Sequence, residues 1–200
     1  MKLLLFSDLH TDRIAAESIV ARSTQFDMLI GAGDFCHCRQ RLDSTISILR
    51  KIETPTILVP GNSESAEELV KACIGWETAQ VLHGNGTDIY DIPVFGIGGG
   101  IPVTPFGSWS YDFTEQEAEA LLADCPEDGI LVSHSPPKGV LDQSSRGQSL
   151  GSVAVRDCIL NRRPRLVVCG HIHESAGKSA TLGFSTVINA GPAGVSWDLK

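Results

Sequence analysis

Lys2-Leu3-Leu4-Leu5-Phe6-Ser7-Asp8-Leu9-His10 sets the reading of the whole chain: a short apolar run ends in a polar pair with metal-binding chemistry. Four apolar residues in succession fit a strand buried on both faces. A secretory segment needs roughly 7 to 15 of them. The same grammar recurs downstream. A run at 28–31 leads into Gly31-Ala32-Gly33-Asp34, and one at 56–59 leads into Gly61-Asn62-Ser63-Glu64. Another at 130–133 is followed by His134-Ser135-Pro136-Pro137, and one at 165–169 by Gly170-His171-Ile172-His173. Further apolar runs at 94–97 and 185–188 read as strands. Helical patterns lie between them at 14–22, 44–52, 66–73, 115–124 and 151–160, two opened by capping boxes, Ser65/Glu68 and Thr114/Glu117. Strand–helix alternation predicts an α/β protein with helices on both faces of the sheet, and residues 1–200 read as one domain.

In an open parallel sheet the carboxyl ends of the strands share one edge, where ligands bind. Asp8, His10, Asp34, Asn62, His134, His171 and His173 should therefore meet there. The spacing of Asp8/His10 and of His171/His173 places each pair on one side of an extended chain. Glycines ahead of Asp34, Asn62 and His171 allow sharp turns and close approach. Taken singly, an Asp after a strand is commonly a helix cap and a His a structural group. Seven together are a mixed O/N donor set suited to Mn, Fe or Zn. Seven exceed one tetrahedral ion but suit two if a carboxylate is shared, and Asp34 is the natural bridge.

Composition bounds the alternatives. The chain carries 16 basic and 24 acidic residues, a net charge of −8, with 42% hydrophobic and 20% charged residues. That is an ordinary globular balance, without the basic bias of a protein that neutralises a nucleic-acid backbone. Arg39, Arg41 and the Arg162-Arg163-Pro164-Arg165 stretch are local exceptions; the second reads as a helix C-terminus. No stable nucleic-acid complex is expected, and no apolar run approaches the roughly 18 residues of a membrane span. Six scattered cysteines read as reduced thiols in a cytoplasmic protein. Cys36-His37-Cys38 has zinc donors, but no second pair completes a site. His37 reads as structural or exposed, within reach of a substrate, and His83 as a solvated loop residue.

Residues 98–113 have neither helical nor strand period, yet carry Phe106, Trp109, Tyr111 and Phe113. Such a loop is expected to fold over a site, with its aromatics packed on each other or stacking a base.

The ordered set D-x-H (Asp8, His10), G-D (Gly33, Asp34), G-N (Gly61, Asn62), a strand-end His134 and G-H-x-H (Gly170, His171, His173) resembles the calcineurin-like metallophosphoesterase superfamily. Local details, His134-Ser135-Pro136-Pro137 and Gly96-Ile97-Gly98-Gly99 among them, resemble its small stand-alone prokaryotic branch. The resemblance implies a two-sheet α/β/β/α sandwich rather than one sheet. It implies two divalent ions, manganese foremost, with Fe, Zn or Ni as alternatives. Asp8, His10, Asp34 and His173 would hold the first, and Asp34, Asn62, His134 and His171 the second. Asp34, Asn62 and His134 would carry catalysis. Asn189 matches a family loop near the site without an assigned role. The implied reaction is hydrolysis of a small phosphate ester by attack of a metal-bridging hydroxide. A phosphodiesterase acting on small diesters, nucleotides among the candidates, is favoured over a phosphomonoesterase, a non-catalytic scaffold or a nuclease. One departure stands out: the family places His after Gly-Asn, and this chain has Ser63, a poor general acid. Slow turnover of esters with basic leaving groups is expected, unless His37 or water substitutes. Lys138 and Arg146 are candidates for the extra cationic donors a monoester calls for, but read more readily as loop surface.

Overall fold

The computed structural model describes residues 1–200. Its first sheet contains β1 (Lys2–Phe6), β2 (Met28–Ala32), β3 (Thr56–Val59) and β4 (Ala79–Val81), all parallel. The second is built from β5 (Asn85–Ile89), β6 (Ile92–Ile97), β7 (Ile130–Ser133), β8 (Leu166–Cys169), β9 (Ser179–Leu182) and β10 (Ser185–Asn189), in the order β5-β6-β7-β8-β10-β9. The last strand, β11 (Val195–Asp198), returns to the first sheet as an antiparallel edge beside β1. The helices are α1 (Arg13–Arg22), α2 (Leu42–Leu49), α3 (Ala66–Ala72), α4 (Glu115–Leu121) and α5 (Val153–Arg162).

Side-chain alternation explains the layers. On β1, Leu3 and Leu5 point toward the other sheet, where they join Ile30, Ile57, Val94, Val132 and Val168 in one buried cluster. Leu4 and Phe6 point the other way and pack with Ile19, Ile46 and Leu69 of α1, α2 and α3. In the second sheet Phe95, Leu131 and Val167 face Ala118 and Val155 of α4 and α5. Each sheet thus has helices on one face and its twin on the other, an α/β/β/α sandwich. This is the two-sheet architecture that the family resemblance implies, and it corrects the single-sheet reading of the alternation alone: runs that are apolar at every position need two apolar neighbours, and here the second neighbour is a sheet.

Both predicted capping boxes are present, at Ser65/Glu68 and Thr114/Glu117. The strands that the sequence does not announce are the half-exposed β4, β5, β9 and β11. The β5–β6 hairpin turns on Tyr90 and Asp91, both at positive φ, the geometry of a tight hairpin but without its usual Asn-Gly signal. No helix is long and apolar enough to cross a membrane.

Candidate metal centre

The loops after β1, β2 and β3 meet those after β7 and β8 at one edge of the sandwich, and all seven candidate residues form one contiguous group. His10 Nε2 lies 3.1 Å from His173 Nε2 and 3.4 Å from Asp34 Oδ2. The other oxygen, Asp34 Oδ1, is 3.6 Å from His134 Nε2. Asn62 Oδ1 is 3.2 Å from His134 Nε2 and 3.1 Å from His171 Nδ1. Asp8 Oδ1 lies 3.8 Å from His173 Nε2 and accepts the His171 N–H at 3.0 Å. Ligand atoms of Asp8, His10 and His173 all lie within 4.8 Å of one another, as do those of Asp8, Asp34 and His134.

The way the pairs converge differs from the expectation. Asp8, His10, Asp34 and His171 all sit at positive φ (55°, 43°, 58° and 66°), so left-handed kinks aim these side chains, not an extended strand. His173 begins a short 3₁₀ turn. Asp and His tolerate this region better than most residues, at a cost of about 1–3 kcal/mol each. The glycines do serve close approach. Gly33 has φ +90°, and a Cβ there would stand 2.6 Å from the Gly61 backbone and from His134 Nδ1. A Cβ on Gly170 would lie 2.6 Å from Asp8 Oδ2.

Several residues unassigned by the motif reading hold the set in place. Glu64 is fully buried, and its carboxylate accepts backbone N–H groups of Asp34 (2.8 Å), Phe35 (3.3 Å), Gly61 (2.8 Å) and Cys36 (3.1 Å). It ties the loop after β2 to the loop after β3. Ser63 donates its backbone N–H to Asp34 Oδ1 at 2.8 Å. Asn189 donates to the carbonyls of Gly170 (2.9 Å) and Ile172 (3.0 Å), bracing the Gly-His-x-His turn. His10 and His134 are oriented by the carbonyls of Cys36 (3.1 Å) and Ala32 (2.7 Å) on their other ring nitrogens. Cys36 itself donates its thiol to Ser63 O at 2.9 Å and stands apart from the ligand groups.

This donor set fits divalent cations. Asp34 is pushed up to about 8 by burial and then by the Asp8 charge, and Glu64 to about 7 by burial and Asp34. Burial and the neighbouring imidazoles hold His171 down at about 3, and burial lowers His10. Buried carboxylates crowded together, beside imidazoles kept neutral with lone pairs free, are the groups whose ionised and neutral forms, respectively, a metal ion selects. The sequence model of calcineurin-like phosphoesterases matches residues 1–175.

The chain belongs to the calcineurin-like phosphoesterase family. The match takes in every candidate residue from Asp8 on β1's following loop to His173. Metallophosphoesterase domain-containing protein 1 of Homo sapiens is 32% identical over 145 residues, 70% of this chain and 41% of that protein. The chain therefore spans about two-fifths of the length of this curated relative. An uncharacterized protein of Methanocaldococcus jannaschii is 27% identical over 202 residues, covering 96% of this chain and 88% of that one. In structure, TT1561 of Thermus thermophilus superposes with a TM-score of 0.77 at 22% identity, over 96% of this chain and 90% of that one. That likeness establishes the shared two-sheet fold.

A cavity of about 380 Å³ opens over the family's motif residues, lined by His10, Asp34, Asn62, His171 and His173 on its floor. Its walls include His37, Ser63, Glu174, Leu150 and the stacked pair Phe106–Trp109, whose rings are 5.5 Å apart. The 98–113 loop does fold over the site: Tyr111 donates its N–H to Asn62 O at 2.9 Å. Tyr111 itself packs on Phe113 and His83. His83 is therefore no solvated loop residue; it is half-buried, and its Nδ1 accepts the Gly98 N–H at 3.1 Å. Neither Lys138 nor Arg146 lines the cavity, and Lys138 is bonded to Ser149 O.

The raised Asp34 and Glu64 carboxyls set a sign for metal-free stability. Below about pH 4 both folded and unfolded chains hold these protons, so the groups contribute nothing. As pH rises from there the unfolded chain ionises first, and folded stability falls until the groups ionise in the folded state, near 8 and 7. Urea midpoints of metal-free protein are expected to drop between pH 5 and pH 8. With saturating Mn²⁺ the drop should vanish or reverse, because the cation favours the ionised carboxylates. A pH-independent difference between loaded and metal-free midpoints would contradict this account.

Proposed function

We propose that this chain is a phosphodiesterase that works with two divalent cations, manganese first, and that its 200 residues act as one catalytic domain. The observation that carries the diester reading is the cavity wall: it has no Lys or Arg, its one full charge above the floor is Glu174, and Phe106–Trp109 and Leu150 supply apolar surface. A monoester dianion calls for extra positive donors, whereas a diester brings one charge and a second organic group that apolar walls can accept.

When bound, the cation pair supplies a nucleophilic water at neutral pH and polarises the phosphoryl oxygens. The protein's own residues supply the rest. Asp34 presents one oxygen to the His10 side and the other to the His134 side, which supports its place as the shared ligand. Asp8, His10 and His173 would complete one position, and Asn62, His134 and His171 the other. Backbone hydrogen bonds to His10 and His134 fix which ring nitrogen faces inward. The Phe106–Trp109 wall would shield the ester from bulk water and receive its organic substituent.

Ser63 lies on the cavity wall where the family's general acid is expected, and its hydroxyl proton is held too tightly to be given up at neutral pH. Refilled with Mn²⁺, the protein should hydrolyse an aryl phosphodiester faster than the corresponding aryl monoester and far faster than a dialkyl ester. Ser63→His should raise dialkyl turnover by about 10²-fold or more and leave the aryl diester within a few-fold, since general acid catalysis is worth roughly 10²–10⁴. A wild-type rate equal for alkyl and aryl esters would remove the leaving-group argument. Preference for the monoester would remove the diester assignment, and no turnover of any ester would favour a binding role.

A further inference from the structure

The 98–113 loop does more than cover the cavity: one of its serines, Ser110, bonds the side-chain amide of Asn62. Asn62 is buried, with Nδ2 donating to Ser110 Oγ at 2.9 Å and Oδ1 facing His134 and His171. An amide can be turned over with little change of shape, exchanging a lone-pair face for a proton face. The direction depends on what Ser110 offers. Ser110 has one proton, and it goes to Asp112 Oδ1 at 2.7 Å. Thr104 Oγ1 also lies 3.0 Å from Ser110 Oγ, while its own proton has a shorter path to Asp112 Oδ2 at 2.7 Å. Asp112 Oδ2 additionally accepts the Thr104 backbone N–H at 3.0 Å.

From this chain of bonds we infer that Ser110, with its proton committed to Asp112, is a positioning residue that forces the Asn62 oxygen toward the metal centre. A turned-over amide would set the Asn62 oxygen against Ser110 lone pairs and aim an NH₂ at His134 and His171, where no cation could use it. The Asn62 N–H to Ser110 bond also anchors the loop, together with the Tyr111 N–H bond to the Asn62 carbonyl. The assignment rests on the two-cation reading above, but concerns residues outside the ligand set.

Asp112→Asn is the sharp test because it alters protons and hardly alters shape. Two donors of Thr104 converge on the Oδ2 position, so the new amide must put its oxygen there and its NH₂ toward Ser110. Ser110 then accepts from residue 112, and its released proton turns to Asn62 or to Thr104 Oγ1 at 3.0 Å, so the inverted amide is no longer opposed. Calorimetric titration of metal-free protein with Mn²⁺ should show one of two binding events weakened by about 10–100-fold in Asp112→Asn, the range for groups that orient metal ligands. Ser110→Ala should weaken the same event, and Ser110→Thr, which keeps the hydroxyl, should restore it. The urea midpoint of metal-free Asp112→Asn, which keeps the number of hydrogen bonds, separates this from general loosening and should stay close to wild type. Two wild-type-strength events in both Asp112→Asn and Ser110→Ala would overturn the inference while leaving the two-cation reading intact. A weakening that Ser110→Thr fails to restore would overturn it too. Wild-type protein that takes up no Mn²⁺ would overturn both readings together.

Discussion

Asp34→Asn is expected to abolish hydrolysis and, at the same time, to make the metal-free protein more stable. Both follow from one buried charge. Asp34 is almost fully buried, and its carboxyl is pushed up to about 8 by desolvation and by Asp8. Asparagine keeps an oxygen for the Ser63 N–H but removes the repelling charge, so the cost of ionising it in the metal-free fold disappears. It also removes a carboxylate whose two oxygens face the His10 and His134 sides of the site. The loss should be roughly 10³-fold or more in turnover of an aryl diester, at least that of deleting a principal charge-stabilising group. The stability gain should be full above about pH 8 and fade toward pH 4, where Asp34 is protonated in folded and unfolded chains alike. Urea unfolding at pH 9 and pH 5, beside a rate measurement with Mn²⁺, reads both. Retained activity would remove Asp34 from the shared position, and a less stable metal-free variant at pH 9 would refute the charge-burial account.

Glu64→Ala should be strongly damaging to stability. Four backbone N–H groups, of Asp34, Phe35, Gly61 and Cys36, converge on its carboxylate inside the protein. Each buried donor left without an acceptor costs about 1–3 kcal/mol, and a 200-residue domain has roughly 5–15 kcal/mol in all. A loss on the order of 3–6 kcal/mol is expected, because some of the four will find water. Glu64→Gln separates charge from acceptor count. It keeps an oxygen for the Asp34 and Gly61 N–H groups, turns an NH₂ toward that of Cys36, and removes the charge that burial and Asp34 push up to about 7, so its loss should be smaller than alanine's and smaller at pH 9 than at pH 5. Urea titration of the metal-free variants measures both. An alanine variant no weaker than the glutamine variant would show that these loops are held by something other than Glu64.

Glu64 is visible in the sequence as the last letter of Gly61-Asn62-Ser63-Glu64, yet nothing there says what it binds. Its partners are backbone N–H groups, which have no sequence signature. The Asn62–Ser110–Asp112 chain is hidden for a related reason: its Asn62–Ser110 link joins residues 48 apart and depends on how an aperiodic loop lands. His83 reads as solvated because a lone histidine between weak strands reveals its burial only when Tyr111 and Phe113 close on it. The edge strands β4, β5, β9 and β11 escape a sequence reading because half-exposed edges need no unbroken apolar run.

Sequence alone determined the buried strands, the capped helices and the gathering of Asp8, His10, Asp34, Asn62, His134, His171 and His173, because apolar runs and motif glycines are local signals. Tertiary structure decided the rest. It paired two sheets face to face, aimed four of the seven side chains through positive-φ kinks, and recruited Glu64, Asn189 and Ser110 to hold them. Those choices are made by desolvation and by hydrogen bonds between residues far apart in the chain, and such energies exist only once the surfaces that exclude water have met.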